Sequence, residues 1–132
     1  MVIKNIIFIL LFISSFSHAQ TYIGASKKDL IKKLKEVNVK VKDTITANVN
    51  WLQFPDNGKM ITTYMAKDTV QYFTILSPLS EINERIASFN AAKFERPEKL
   101  KWIDLSDKKY HELVYEIRKF NDGFLLIISV GQ

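Results

Sequence analysis

The side chains best suited to chemistry fall in one short stretch: Asp104, Ser106, Asp107, His111 and Glu112. An imidazole near carboxylates and a hydroxyl is the raw material of nucleophilic or acid–base catalysis. Two features argue against that use. His111 and Glu112 are neighbours in a predicted strand, and neighbouring strand residues point to opposite faces, so they cannot pair directly. The same acids are candidate oxygen ligands for a hard cation. Calcium takes about six to eight oxygens in a tight loop, and Ser106-Asp107-Lys108-Lys109 sets two cations among them instead. His111 therefore reads as a partly exposed structural residue, and neither catalytic residues, nor a metal site, nor a cofactor is expected.

Five residues are candidates for binding. Trp51 and Trp102 offer ring faces on which a sugar could stack, although each sits beside apolar residues in a predicted strand, where core packing is the competing expectation. Lys28, Lys32 and Lys35 line one side of a predicted helix. They suit a phosphate or an anionic glycan, or simply a solvated face. No pair of carboxylates is spaced so as to mark a hydrolase.

The elements that must position these residues follow from periodicity. Ser26 is a helix N-cap with Asp29 three residues on, and Leu30, Ile31, Leu34 and Val37 form one apolar stripe. Asn38–Asn48 is ambiguous: alternating valines suggest a short edge strand, while Asp43–Asn48 reads as a connection. Three strands are expected at Val49–Phe54, Lys59–Ala66 and Thr69–Leu76, separated by Pro55-Asp56-Asn57-Gly58 and Lys67-Asp68. Ser77-Pro78 opens a second helix with Leu79, Ile82, Ile86 and Phe89 inward and Glu81, Glu84 and Glu95 toward solvent. Strands at Leu100–Leu105, Tyr110–Lys119 and Phe124–Val130 complete the chain, the last two joined by Asn121-Asp122-Gly123. In Tyr110–Lys119 the core face is Leu113, Tyr115 and Ile117. Phe124–Ile128 is apolar throughout, which predicts a central strand covered on both sides.

The fold class is therefore α+β: an antiparallel sheet with two helices, in the order α-β-β-β-α-β-β-β. At an offset of 51, Ser26 meets Ser77, Trp51 meets Trp102, Tyr64 meets Tyr115 and Phe73 meets Phe124, which suggests a tandem duplication.

Residues 1–19 have the form of a secretory signal peptide. Lys4 precedes the apolar run Ile6–Ile13, and Ser17-His18-Ala19 presents small residues at the two places a signal peptidase reads. The apolar run is too short for a spanning helix, which needs about 20 residues. Cleavage after Ala19 leaves residues 20–132 as one domain and lowers the formal charge from +5 to +4 by removal of Lys4. The chain is thus expected in the periplasm or outside the cell, with no stable membrane anchor after cleavage. It contains no cysteine, which excludes disulfides, thiol catalysis and thiolate metal sites. A modest, interspersed positive charge in that compartment points to an acidic protein or an anionic envelope component rather than nucleic acid.

The opening Tyr22-Ile23-Gly24-x-Ser26-x-x-Asp29-Leu30 resembles that of tandem α/β proteins of the β-lactamase-inhibitor-like and outer-membrane-assembly-lipoprotein type. In those, a glycine and a capping residue precede the first helix. The chain lacks the lipoproteins' cysteine and the inhibitors' disulfides. As a whole, with a leader ending in Ala-Gln, a late Trp strand and a closing hairpin, it resembles small exported α+β proteins of Bacteroidota. Neither resemblance carries over a functional residue. Two classes of function remain. One is an exported noncatalytic binding or interaction module of the bacterial cell envelope, acting through its sheet face or edge. The other is a small carboxylate-dependent hydrolase of envelope material. Dispersed polar residues favour the first.

Overall fold

A computed structural model describes residues 22–46, 49–106, 110 and 112–131. The leader, Gln20, Asp107 and His111 lie outside the described residues.

The first helix, α1 (Lys27–Glu36), starts where expected: Ser26 caps it by accepting a hydrogen bond from the Asp29 backbone N–H at 3.1 Å. Asn38, in the left-handed region at φ 59°, ends it, and the Val39 N–H returns to the Leu34 carbonyl. Leu30 and Leu34 are buried, but Val37 lies past the last helical turn and is 67% exposed, so it is not part of the inward stripe.

Four strands follow: β1 (Lys42–Ile45), β2 (Asn50–Asp56), β3 (Lys59–Ala66) and β4 (Thr69–Pro78). Then come a 3₁₀ turn (Leu79–Glu81), α2 (Ile82–Ala91), and β5 (Glu95–Glu98), β6 (Lys101–Asp104), β7 (Leu113–Phe120) and β8 (Gly123–Val130). The expected order thus lacked two strands, β1 and β5. The full order is α-β-β-β-β twice. Pro78 closes β4 rather than opening a helix, Leu79 is 45% exposed, and Glu95 stands on β5 rather than α2. No helix among the described residues is long and apolar enough to cross a membrane.

All eight strands form one antiparallel sheet in the order β1-β2-β3-β4-β8-β7-β6-β5. Each half is a meander, and the halves meet where their last strands pair. Gly123 stands at that seam. A Cβ there would come within 2.4 Å of the Ser77 carbonyl oxygen, so glycine is required by the approach of two backbones, not by a left-handed φ.

Strand register separates two faces. The helix side carries the rows Leu52-Thr63-Phe73-Ile128-Tyr115-Trp102 and Phe54-Ile61-Ile75-Leu126-Ile117. Leu30 and Leu34 of α1 and Phe89 of α2 join the same core. Toward β6 the core is aromatic: the Phe89 ring lies 4.9 Å from both Trp102 and Tyr115, and the Trp102 Nε1–H donates to Asn90 Oδ1 at 3.0 Å. The expected face of β7 is observed, with Leu113, Tyr115 and Ile117 buried.

Tyr22 ties the N-terminal approach to α1 onto β2 and β4 of the same half. Its ring packs edge-on against Phe54 and Phe73, and its hydroxyl donates to Asp56 Oδ2 at 2.5 Å. Burial, then the Asp56 hydrogen bond and charge, push its phenol well above the ordinary value of 10.0. Above that value the unfolded chain gives up a proton that the folded chain retains. The associated stability is therefore complete below pH 10 and is lost as pH rises toward the raised folded value. Tyr22→Phe is expected to cost about 1 kcal/mol at pH 7 by loss of one hydrogen bond. It should also flatten the alkaline decline. Urea unfolding of both proteins between pH 8 and pH 11 checks this, and parallel declines would refute it.

Candidate functional site

Among the described residues, the helices cover one face of the sheet only. On the other, register lines up three rows of side chains across the strands. The first runs Trp51-Tyr64-Tyr72-Ser129-Val114-Ile103. The second runs Gln53-Thr62-Thr74-Ile127-Glu116-Lys101. Pro55-Met60-Leu76-Leu125-Arg118 make the third. Met60, Tyr72 and Leu76 are 40%, 40% and 37% exposed, a level unusual for side chains of interior strands. Here one expectation is corrected. β8 is central, but Leu125 and Ile127 point to this open side and are only half-buried, so among the described residues the strand is covered on one side alone.

A shallow groove of about 470 Å³ runs along the β8 side of this face. Thr74, Ile127, Ser129 and Val114 lie between two higher borders. Tyr64 and Tyr72 form one border. Their rings are stacked 4.6 Å apart with 11° between planes, so they stand as a single ridge. Burial raises the Tyr64 phenol above its ordinary value, with Tyr72 adding to the effect. The opposite border holds Lys101, Glu116 and Arg118, in which Arg118 Nε donates to Glu116 Oε2 at 2.5 Å.

The five sequence candidates scatter. Trp51 heads the first row of the open face, and the Lys42 ammonium sits 5.9 Å from its ring centroid. Trp102 is 1% exposed beneath Phe89 and Arg96, and presents no ring face to a sugar. Tyr64 and Tyr72 cover one face of each other's ring. The offset of 51 does not bring the two tryptophans to equivalent places: Trp51 stands in a row of the open face, whereas Trp102 stands in a row on the helix side. Lys28, Lys32 and Lys35 lie exposed on the outer side of α1, remote from the groove's lining.

Among the acids around β6, Asp104 accepts hydrogen bonds from the Ser106 backbone N–H at 2.9 Å and the Ser106 hydroxyl at 2.6 Å. That is a local turn held by its own side chain. Among the described residues, no three His, Cys, Asp or Glu side chains converge as a metal site. Glu116 is the one acid lining the groove among the described residues, and it is bound to Arg118.

Sequence reasoning named Trp51 as a binding candidate, without its face, and missed Tyr64, Tyr72 and the groove beside them. Their signal was present in the strand alternation: Tyr64, Tyr72 and Ile127 fall on the outward parity of their strands, a parity polar residues should occupy in a half-solvated sheet. Comparison with protein-family models, with curated proteins and with solved structures gives no match.

Proposed function

We propose that the chain is an exported, noncatalytic binding module of the bacterial cell envelope whose open sheet face docks a protein partner. One observation carries the reading: a wide sheet face lined by tyrosines, tryptophan and aliphatic side chains, with charges at the groove border, has no covering element among the described residues. Aromatic residues, methionine and arginine are enriched in protein interfaces, and Trp51, Tyr64, Tyr72, Met60 and Arg118 all stand here. Export rests on the leader, with cleavage after Ala19 and release from the membrane. The doubled α-β-β-β-β order supports both the duplication and the resemblance to tandem α/β proteins. The alternative, a small carboxylate-dependent hydrolase, has one groove carboxylate, Glu116, among the described residues.

A photoreactive residue at Ile127, in the groove, and another at Lys32, on the outer face of α1, test this in cells exporting the chain. Adducts from position 127 and none from position 32 are expected. Adducts from position 32 alone would overturn the reading.

A further inference from the structure

The open face has a property beyond exposure. Its ridge lies on one side of the β4–β8 seam and most of its groove on the other: Tyr64 and Tyr72 on β3 and β4, Ile127, Ser129 and Val114 on β8 and β7. A two-fold rotation about an axis above the seam, parallel to the strands, carries each half of the sheet over the other half of a second copy. Strand β4 then faces β8, β3 faces β7 and β2 faces β6. Position along the strands is preserved, so each row faces itself.

The chemistry matches row by row. In the first row Tyr72 comes over Ser129, Tyr64 over Val114 and Trp51 over Ile103, each large ring opposite a smaller side chain. In the second, the Thr62 hydroxyl meets the Glu116 carboxylate and the Gln53 amide meets Lys101. The third sets Leu76 on Leu125, and Met60 on the aliphatic stem of Arg118. At the margins, where β1 faces β5, Lys42 falls opposite Glu98; both occupy the second row through their pairing with Gln53 and Lys101. No like charges are brought together. Sheets packed face to face lie ~10 Å apart with strands within ~30° of parallel, which keeps the central strands in this correspondence. Six strands at ~4.8 Å spacing and three rows at roughly 7 Å present on the order of 600 Å² in projection. With side-chain relief added, that approaches the ~800 Å² per partner of a stable interface.

We infer that the partner on this face is a second copy of the chain, in an isologous dimer with its axis along the β4–β8 seam. The inference rests on reading the face as a docking surface and names the occupant. It also accounts for the apolar outward side of β8, which the single chain leaves half-buried.

Sedimentation equilibrium of the purified exported chain tests the stoichiometry. A dimer is expected, and Ser129→Arg, which places a charge in the groove, should weaken it on the order of 100-fold while a cooperative melt persists. Lys32→Glu should leave it unchanged. Photocrosslinking from position 127 in a mixture of ¹⁴N- and ¹⁵N-labelled chains gives a second readout that does not depend on Ser129→Arg folding. Interchain adducts to β4 are expected. Interfaces of this size range from micromolar to picomolar affinity, so a monomer at about 100 µM overturns the dimer. Interchain adducts confined to the helices or to the β1 edge would overturn it as well. The two readings fail separately. A monomer whose position 127 is nonetheless captured by another protein in cells sinks the dimer alone, whereas no adduct from position 127 in either setting sinks both.

Discussion

Truncation after Gly123 is expected to leave a chain with no cooperative unfolding transition. Strand β8 lies between β4 and β7, so its removal cuts the sheet into a four-stranded and a three-stranded piece. Phe124, Leu126 and Ile128 are 0%, 3% and 1% exposed, and each contributes roughly 1.5–3 kcal/mol by burial. Their sum alone is comparable with the total stability of a domain this size, about 5–15 kcal/mol. The loss extends to the strands left behind. Phe73 and Tyr115 are the cross-strand neighbours of Ile128, and Ile117 is the neighbour of Leu126. All would gain access to water. Single substitutions on the same strand separate its two sides. Ile128→Asp, which buries a charge in the core, should be nearly as damaging as the truncation. Ile127→Asp should still melt cooperatively, because that side chain is half-buried on the open face. Thermal melts followed by circular dichroism distinguish the three. A cooperative melt from the truncated chain would mean that the halves fold without the seam.

The contrast between positions 127 and 128 shows where the sequence was legible. An unbroken apolar run marks a central strand correctly. It does not say whether the second apolar face is covered by a helix or by another molecule, because both environments exclude water and select the same residues. Alternation in β7 was readable for the opposite reason: Glu116 and Arg118 fall between buried Leu113, Tyr115 and Ile117, so the pattern itself gives the face. The short edge strands left no such trace. β1 has one half-buried residue in four, and every residue of β5 is exposed, including Arg96 and Pro97 beside a register shift. Edge strands without burial are held by backbone hydrogen bonds, which any sequence can make. Proline and charge on β5 further suit an edge that must not pair onward.

Helix boundaries follow the same logic. At α1 the capping serine is a local chemical signal, and the structure begins the helix beside it. At α2 no side chain caps the start, β4 runs on through Pro78, and the apolar spacing that begins at Leu79 belongs partly to a 3₁₀ turn. The tryptophans give the third lesson. Both stand in strands beside apolar neighbours, yet one faces the helices and the other the open side. Only the register of the whole sheet decides which.

Phe89→Ala is expected to be the most destabilising single truncation of a helix side chain. Phe89 is the only fully buried residue of α2, at 0% exposure, while Ile82 and Ile86 are partly covered. Its ring touches Trp102 and Tyr115 at 4.9 Å and approaches Phe94 at 6.3 Å. Three aromatic rings thus border the space it would vacate, and rigid rings collapse poorly into a void. Loss of a buried phenylalanine costs about 3–5 kcal/mol, the upper end applying where the surroundings cannot relax. α2 has no side-chain cap to hold it in compensation. If its last turn lifts, Trp102 Nε1 also loses Asn90, leaving a buried donor without its acceptor. For a chain of this length the expected fall in Tm is on the order of 15 °C. Phe89→Leu retains most of the volume and should lose less than half as much. Fluorescence of Trp102, read in a Trp51→Phe background, reports the local event: Phe89→Ala should shift its emission to the red below the melting transition. A loss under about 1 kcal/mol with unshifted emission would mean that α2 does not seal this end of the core.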